Sequence, residues 1–399
     1  MLGLMLARMG IDVIVLEKHM DFLRDFRGDD ISPGTVEIIG ELGLAEEFLS
    51  LKPKRIETIR AHTPGGAIIL ADLKRIRTPF PFYAVIPQWD FLDFVTKEAS
   101  REKSFRLLLG TEGIGLLESG GQIQGVRCQS AQGALTIRAR LTVAADGRHS
   151  EIRAQAGLDL ITTAPPIDLL WFRLPRAGQP SEAAISIHLG GGQVMARIDR
   201  DSYWQIACVI SKGSAQAVID AGIEAFRAAL CQCMPDLADS AVALRDWDQV
   251  SQLSVQTNRL RRWYRPGLIC IGDAAHAMSP IGGAGINFAI ADAVAVANRV
   301  GDPLRRGEVP VRALRAVQRE RAWQVRFLQA LQTQLTSAVL VSAEADPHGL
   351  RAFGQRYGPR LANLWPFLGI RSRITALGLR RSHLAGAAKS AARISSAQG

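Results

Sequence analysis

The chain has 399 residues, 47% of them hydrophobic and 22% charged, with a formal net charge of +10. That is enough for two domains, and the composition is that of an ordinary globular protein rather than a disordered or fibrous one. No apolar run reaches the roughly 18–20 residues of a membrane span, and nucleic-acid-binding modules are absent. The charge is concentrated at one end. Past Asp346 there is no acid, while Arg351, Arg356, Arg360, Arg371, Arg373, Arg380, Arg381, Lys389 and Arg393 add nine positive charges. The body is therefore close to neutral, and the basic tail reads as a solvated end able to touch an anionic surface. The scattered Cys128, Cys208, Cys231, Cys233 and Cys270 read as reduced, buried thiols, without a disulfide framework or metal-ligand spacing. Arg8 and Asp12 interrupt the apolar opening, which has no basic leader, so a cytoplasmic location is expected.

In chain order, Leu2, Leu4, Met5 and Ala7 suit a buried helix, and Gly10 fits the position just past its end. Ile11 to Leu16 is a β-branched run ending at Glu17, the pattern of a parallel strand buried on both faces. This is the second half of a βαβ dinucleotide unit, with the acid placed to accept bonds from a ribose hydroxyl pair. The first strand and glycine-rich turn of such a unit do not precede it. Two explanations stay open: a start that lies further upstream, or a truncated product. Gly190 to Gly192 does not replace the turn, since no βαβ pattern surrounds it.

Ser32-Pro33 predicts an N-cap and first turn for a helix ending at Gly43. A second helix is expected over 89–99, short strands over 105–145, and antiparallel strands at 168–174, 184–189, 193–198 and 203–210. Residues 214–234 read as a helix, and 311–341 as a long amphipathic one. Trp171, Arg173, His188, Tyr203, Trp204 and Gln205 sit on the antiparallel strands. Alternation lets only half of each strand face a pocket, and the sequence does not say which half.

Two strings carry chemistry. Gly272-Asp273-Ala274-Ala275-His276, followed by Pro280 through Gly283, Gly285, Ile286 and Asn287, lies between the apolar run 268–271 and a helix. A strand-end acid can hold a polyol, glycines admit a flat ring to the backbone, and a helix N-terminus favours developing negative charge. Asp146-Gly147-Arg148 through Arg153 is a strand-end acid with two arginines, suited to a polyanionic cofactor. No Gly-x-Ser-x-Gly segment accompanies His276, which reads as a support for its loop rather than a general base.

These strings resemble the flavin motifs of the FAD-dependent aromatic hydroxylases, the class A flavoprotein monooxygenases typified by p-hydroxybenzoate hydroxylase, in family order over roughly residues 1–300. The resemblance implies FAD held by Glu17, Arg27, Gln88, Asp146, Gly147, Arg153, Gly272, Asp273, Pro280, Gly283, Gly285, Ile286 and Asn287. In it, Asp273 takes the ribityl chain, Pro280 sits beside the isoalloxazine, and Gly285 to Asn287 meet its pyrimidine edge. No metal and no separate catalytic side chain is implied. The expected activity is NAD(P)H-dependent hydroxylation of an aromatic or polycyclic molecule by dioxygen through a flavin C4a-hydroperoxide. A flavin-dependent reductase on the same scaffold, and a non-catalytic remnant that binds FAD poorly, are the rivals. Flavin halogenation is set aside, because the Trp-x-Trp-x-Ile-Pro segment is absent.

The expected architecture is α/β. An incomplete Rossmann-like FAD-binding domain takes residues 1–58, 84–160 and 255–300. A mainly antiparallel substrate sheet takes 59–83 and 161–254, and a helical C-terminal region takes 301–399.

Overall fold

The computed structural model describes residues 1–23, 30–63, 66–163, 165–176, 185–200, 202–280, 282–344, 372–374, 376–378 and 380–385. Helix α1 (Leu2–Arg8) leads into strand β1 (Val13–Leu16), and α2 (Pro33–Glu41) follows. The Ser32 hydroxyl caps α2 by accepting from Thr35 N at 3.3 Å, as the Ser-Pro pair predicts. A hairpin of β2 (Thr58–Thr63) and β3 (Gly66–Asp72) precedes α3 (Gln88–Ala99) and β4 (Phe105–Leu108). An antiparallel sheet of Thr111–Ser119, Gln122–Ser130 and Gly133–Arg138 separates these from β5 (Thr142–Ala144) and the short α4 (Glu151–Gln155). Next come β6 (Ile167–Pro175), β7 (Ile185–Gly190), β8 (Gln193–Asp199), β9 (Tyr203–Ser211), α5 (Ile223–Cys233), β10 (Ser251–Ser254) and β11 (Leu268–Cys270). Two long helices, α6 (Ala284–Arg305) and α7 (Val311–Glu344), end this series.

One half of the fold is built on parallel pairs, β1 with β4 and β5 with β11. Helix α1 lies directly on β1 and β4 because Gly3 has no side chain; a Cβ there would stand 2.9 Å from Phe105 and 3.1 Å from Val15. Strand β1 was expected to be buried on both faces, but all four of its residues are only half-buried, since they border a cavity. The main core packs α1, α2, α3 and α6 together through Met5, Ile39, Phe91 and Val294.

The second half is a seven-stranded sheet in the order β10-β6-β9-β8-β7-β2-β3. Its neighbours are antiparallel except β7 with β2. Gly191 and Gly192, at φ +57° and +74°, turn β7 into β8, which explains the glycine run as a hairpin. One face of the sheet packs on α5 through Phe172, Trp204, Cys208, Phe226 and Leu230. The single helix expected over 214–234 is two, Ala215–Asp220 and α5, because Gly222 takes φ +87° between them. The tail expected to be solvated packs in part: Leu384 is buried in the main core, and His383 Nδ1 meets Glu41 Oε1 at 2.8 Å. Most of the other basic residues of the tail lie outside the described residues.

One acid joins the two long helices to the strand-end loop. Asp292 of α6 is fully buried, and its Oδ2 accepts from Gly272 N at 3.0 Å and faces His276 Nε2 at 2.6 Å. Its Oδ1 accepts from Arg321 Nε of α7 at 2.8 Å. Burial alone would raise the Asp292 carboxyl, but the charges of His276 and Arg321 outweigh it and hold the group below its ordinary range. Removing this charge leaves Arg321 buried without a counter-ion, so Asp292→Asn is expected to cost about 3–5 kcal/mol of stability. A carboxyl whose folded pKa is depressed stabilises above the unfolded value of about 4 and loses that contribution as pH falls through the folded one. Denaturant titrations at several pH values should therefore show the wild type losing stability on acidification more steeply than Asp292→Asn; parallel pH profiles would contradict this.

Candidate functional site

A cavity of about 2770 Å³ runs between the carboxyl ends of the parallel strands and the free face of the seven-stranded sheet. Glu17 at the end of β1, Gln88 in the first turn of α3, and Asp146, Gly147 and Arg148 after β5 all line it. So do Gly272, Asp273, Pro280, Gly282, Gly283, Gly285 and Ile286. Motifs up to 269 residues apart in the chain, from Glu17 to Ile286, thus share one wall.

The two loops are fastened to each other from behind. Asp146 Oδ1 accepts from Ser150 Oγ at 2.5 Å and its Oδ2 from Ile152 N at 3.2 Å, so the acid holds the start of α4. Arg153 was expected at the cofactor, but it is buried behind the wall and does not line the cavity. Its guanidinium donates to Arg148 O at 2.9 Å and Ala274 O at 3.1 Å, stitching the Asp146 loop to the Gly272 loop. Arg148 Nη2 reaches Asp273 Oδ2 at 3.9 Å, while its buried Nε has no hydrogen-bond partner.

At the start of α6, Gly283 takes φ +59°, and a Cβ there would stand 2.7 Å from Asp30 Oδ2. A Cβ on Gly285 would meet nothing within 4 Å, because this residue faces the open cavity. Asn287 was expected to touch the ring edge, yet its amide is spent within the protein. Its Oδ1 accepts from Ser32 N at 2.9 Å and Thr35 Oγ1 at 2.7 Å, and its Nδ2 donates to Asp30 O at 2.8 Å. Asn287 therefore clamps the start of α2 to the start of α6. Arg27 lies outside the described residues.

His276 is buried against Asp292 and Trp263, which is the loop-supporting role its sequence context suggests. Asp292 escaped the sequence reading, although an acid inside the run Ala289 to Ala297 of otherwise apolar residues is a signal of a buried charge partner. Alternation on the seven-stranded sheet resolves which half of each strand faces the cavity. Trp171, Arg173, Ile187, Ala196, Gln205 and Ala207 line it, whereas His188, Met195 and Trp204 are buried on the other face. His188 is thus no substrate contact; it stacks on His62 with ring centroids 4.7 Å apart. Burial, then the charges of Arg197 and His62, push its pKa down to about 4.

This wall fits a flavin dinucleotide. An open glycine leaves backbone free for a flat ring to approach, two strand-end acids offer carboxylates suited to polyol and ribose hydroxyls, and an arginine with an unpartnered buried nitrogen stands beside one of them. Among the described residues no group of three or more His, Cys, Asp or Glu side chains is placed to hold a metal, and no helix is long and apolar enough to cross a membrane.

Comparison with known proteins agrees. The FAD binding domain family matches residues 1–328. The 6-methylpretetramide 4-monooxygenase of Streptomyces rimosus is 32% identical over 356 residues, 87% of this chain and 84% of that protein. The digeranylgeranylglycerophospholipid reductase of Methanocella arvoryzae is 25% identical over 321 residues, 77% of this chain and 76% of that protein. The crystal structure of p-nitrophenol 4-monooxygenase PnpA from Pseudomonas putida superimposes with a TM-score of 0.76 at 16% identity, covering 95% of each chain, a likeness of fold. The chain belongs to the FAD-binding domain family, as an FAD-dependent flavoprotein of the aromatic-monooxygenase class.

Proposed function

We propose that this chain is an NAD(P)H-dependent monooxygenase that hydroxylates an aromatic small molecule with dioxygen. The observation that carries the reading is the continuity of the cavity. The Gly272–Ile286 wall and the apolar sheet face open into one space, so a ring bound on either is presented to the other. When bound, FAD would supply the redox chemistry, with a nicotinamide as the two-electron donor and dioxygen as the oxidant, one of whose oxygen atoms would enter the substrate ring while the other would leave as water.

The chain's own residues bind, orient and exclude water. Glu17 accepts from the ribose hydroxyls and Asp273 from the ribityl chain, while Arg148 places positive charge beside Asp273. Pro280, Gly283, Gly285 and Ile286 present backbone and apolar surface to the flat ring, and Gln88 approaches from the first turn of α3. The N-terminus of α6 favours the negative charge that accumulates on reduction. The part of the sheet face that carries Leu169, Trp171, Ile187 and Val209 is apolar and would disfavour water near a reactive oxygen.

Loss of a hydrogen bond to a charged group costs about 1.5–3 kcal/mol, so Asp273→Ala is expected to weaken FAD binding about 10- to 100-fold. Flavin absorbance titration checks this, and an unchanged affinity would remove Asp273 from the site.

The likeness to a named reductase makes a flavin-dependent reductase the second reading. Isotopically labelled dioxygen separates the two: the monooxygenase reading predicts one labelled oxygen in an aromatic product, and the reductase reading predicts none.

A further inference from the structure

Helix α7 carries its polarity partly reversed. Gln324, Gln329 and Gln332 are buried, their amide nitrogens donating to Glu320 O at 3.0 Å, to Asn258 O at 2.9 Å and to Ser279 O at 3.3 Å respectively. The outer side of the helix instead carries Trp323 and Phe327, 43% and 46% exposed and one helical turn apart. Among the described residues these are the two exposed aromatic side chains. Two large apolar rings left side by side in water are unfavourable, and a patch of this kind marks a contact with something else.

The charge around the pair indicates what that contact is. At about 3.6 residues per turn, Arg312, Arg315, Arg319, Arg326, Trp323 and Phe327 fall within an arc of about 120° along about 22 Å of helix. All six are exposed. Arg315 Nε donates to Tyr264 Oη at 3.2 Å and Arg326 Nε to Ala322 O at 3.4 Å, but among the described residues no acid pairs with any of the four arginines. The neighbouring acid, Glu320, is already held by Arg299 of α6 at 2.7 Å. The face is therefore a cationic stripe with two aromatic rings set in it. An anionic bilayer surface is complementary to both parts. Lipid phosphates accept from guanidinium groups, while indole and phenyl rings settle at headgroup level. Since no described helix is long and apolar enough to cross a membrane, α7 would lie in the plane of such a surface. Nucleic acid is matched less well, because bases stack in a groove that follows the strand and this face is the convex side of a helix.

We propose that the outer face of α7 docks on an anionic lipid surface, with Trp323 and Phe327 among the headgroups and Arg312, Arg315, Arg319 and Arg326 on lipid phosphates. None of the six lines the cavity, so this docking is separate from the flavin site and does not rest on the monooxygenase reading.

The test is sedimentation of the full chain, with FAD present, with vesicles of phosphatidylcholine alone or mixed about three to one with phosphatidylglycerol. The protein should bind the mixed vesicles, leave them at high salt, and ignore the neutral ones. Trp323→Gln combined with Phe327→Gln should weaken binding about tenfold or more, as should Arg319→Gln combined with Arg326→Gln. Both variants should keep wild-type flavin content, because the substituted side chains are exposed and away from the cavity. Trp323→Phe should still bind, with less quenching of tryptophan fluorescence by lipids brominated on their acyl chains. A wild type that ignores the mixed vesicles, or variants that sediment with them as the wild type does, would overturn the docking face. So would a dimer that the paired aromatic substitutions abolish, which would place a second copy on this face, or tighter binding to a single-stranded oligonucleotide than to the vesicles.

Discussion

A carboxylate without access to water is tolerated only when its charge is met, and Asp292 is met from three sides. Gly272 N and His276 belong to the loop between β11 and α6, and Arg321 to the third turn of α7. The arrangement converts a buried charge, costly by itself, into a fixed distance between a strand end and two helices. The rest of the flavin wall depends on that distance. Asp273 is the residue directly after Gly272, Pro280 follows His276, and Gly283 and Gly285 open the helix that carries Asp292.

A second set of contacts fixes the opposite side of the same wall. Arg153 ties the Asp146 loop to Ala274 O, and Asn287 ties the start of α6 to Ser32, Thr35 and Asp30. Three motif residues that sequence reasoning assigned to cofactor contact, Asp146, Arg153 and Asn287, thus spend their polar atoms on the protein. These bonds hold the loops that carry Gly147, Arg148, Asp273 and Gly285 on the cavity wall. Positioning of this kind is what a cofactor enzyme asks of its fold, since the reactive atoms are not the protein's own.

The legible parts of the sequence were those with local causes. Ser32-Pro33 announces a helix start because capping involves only neighbouring residues, and the glycine-rich string between a strand and α6 announces a nucleotide site for the same reason. The antiparallel strands were visible from alternation, but which face meets the cavity was not. A period of two is symmetric, and only the helix α5 packing against Phe172 and Trp204 breaks the tie. That the side chains of Arg153 and Asn287 bond within the protein was not legible, because a motif records which residues recur, not where each side chain turns. The half-burial of β1 was likewise out of reach, being set by what lies beside the strand and not by its own apolar run. The packing of Leu384 against the main core depends on a contact with α2 more than 300 residues away in sequence, which local composition does not record.

The central claim is that a flat flavin ring lies against the open backbone at the start of α6. Gly285 separates that claim from mere stability, because a side chain there points into space and meets no protein atom within 4 Å. Gly285→Val is compatible with the fold, and calorimetric titration with FAD reads the consequence directly. The account predicts a variant that unfolds at the wild-type denaturant concentration or slightly above it and binds FAD at least tenfold more weakly. A stable Gly285→Val protein that binds FAD as the wild type does would contradict it.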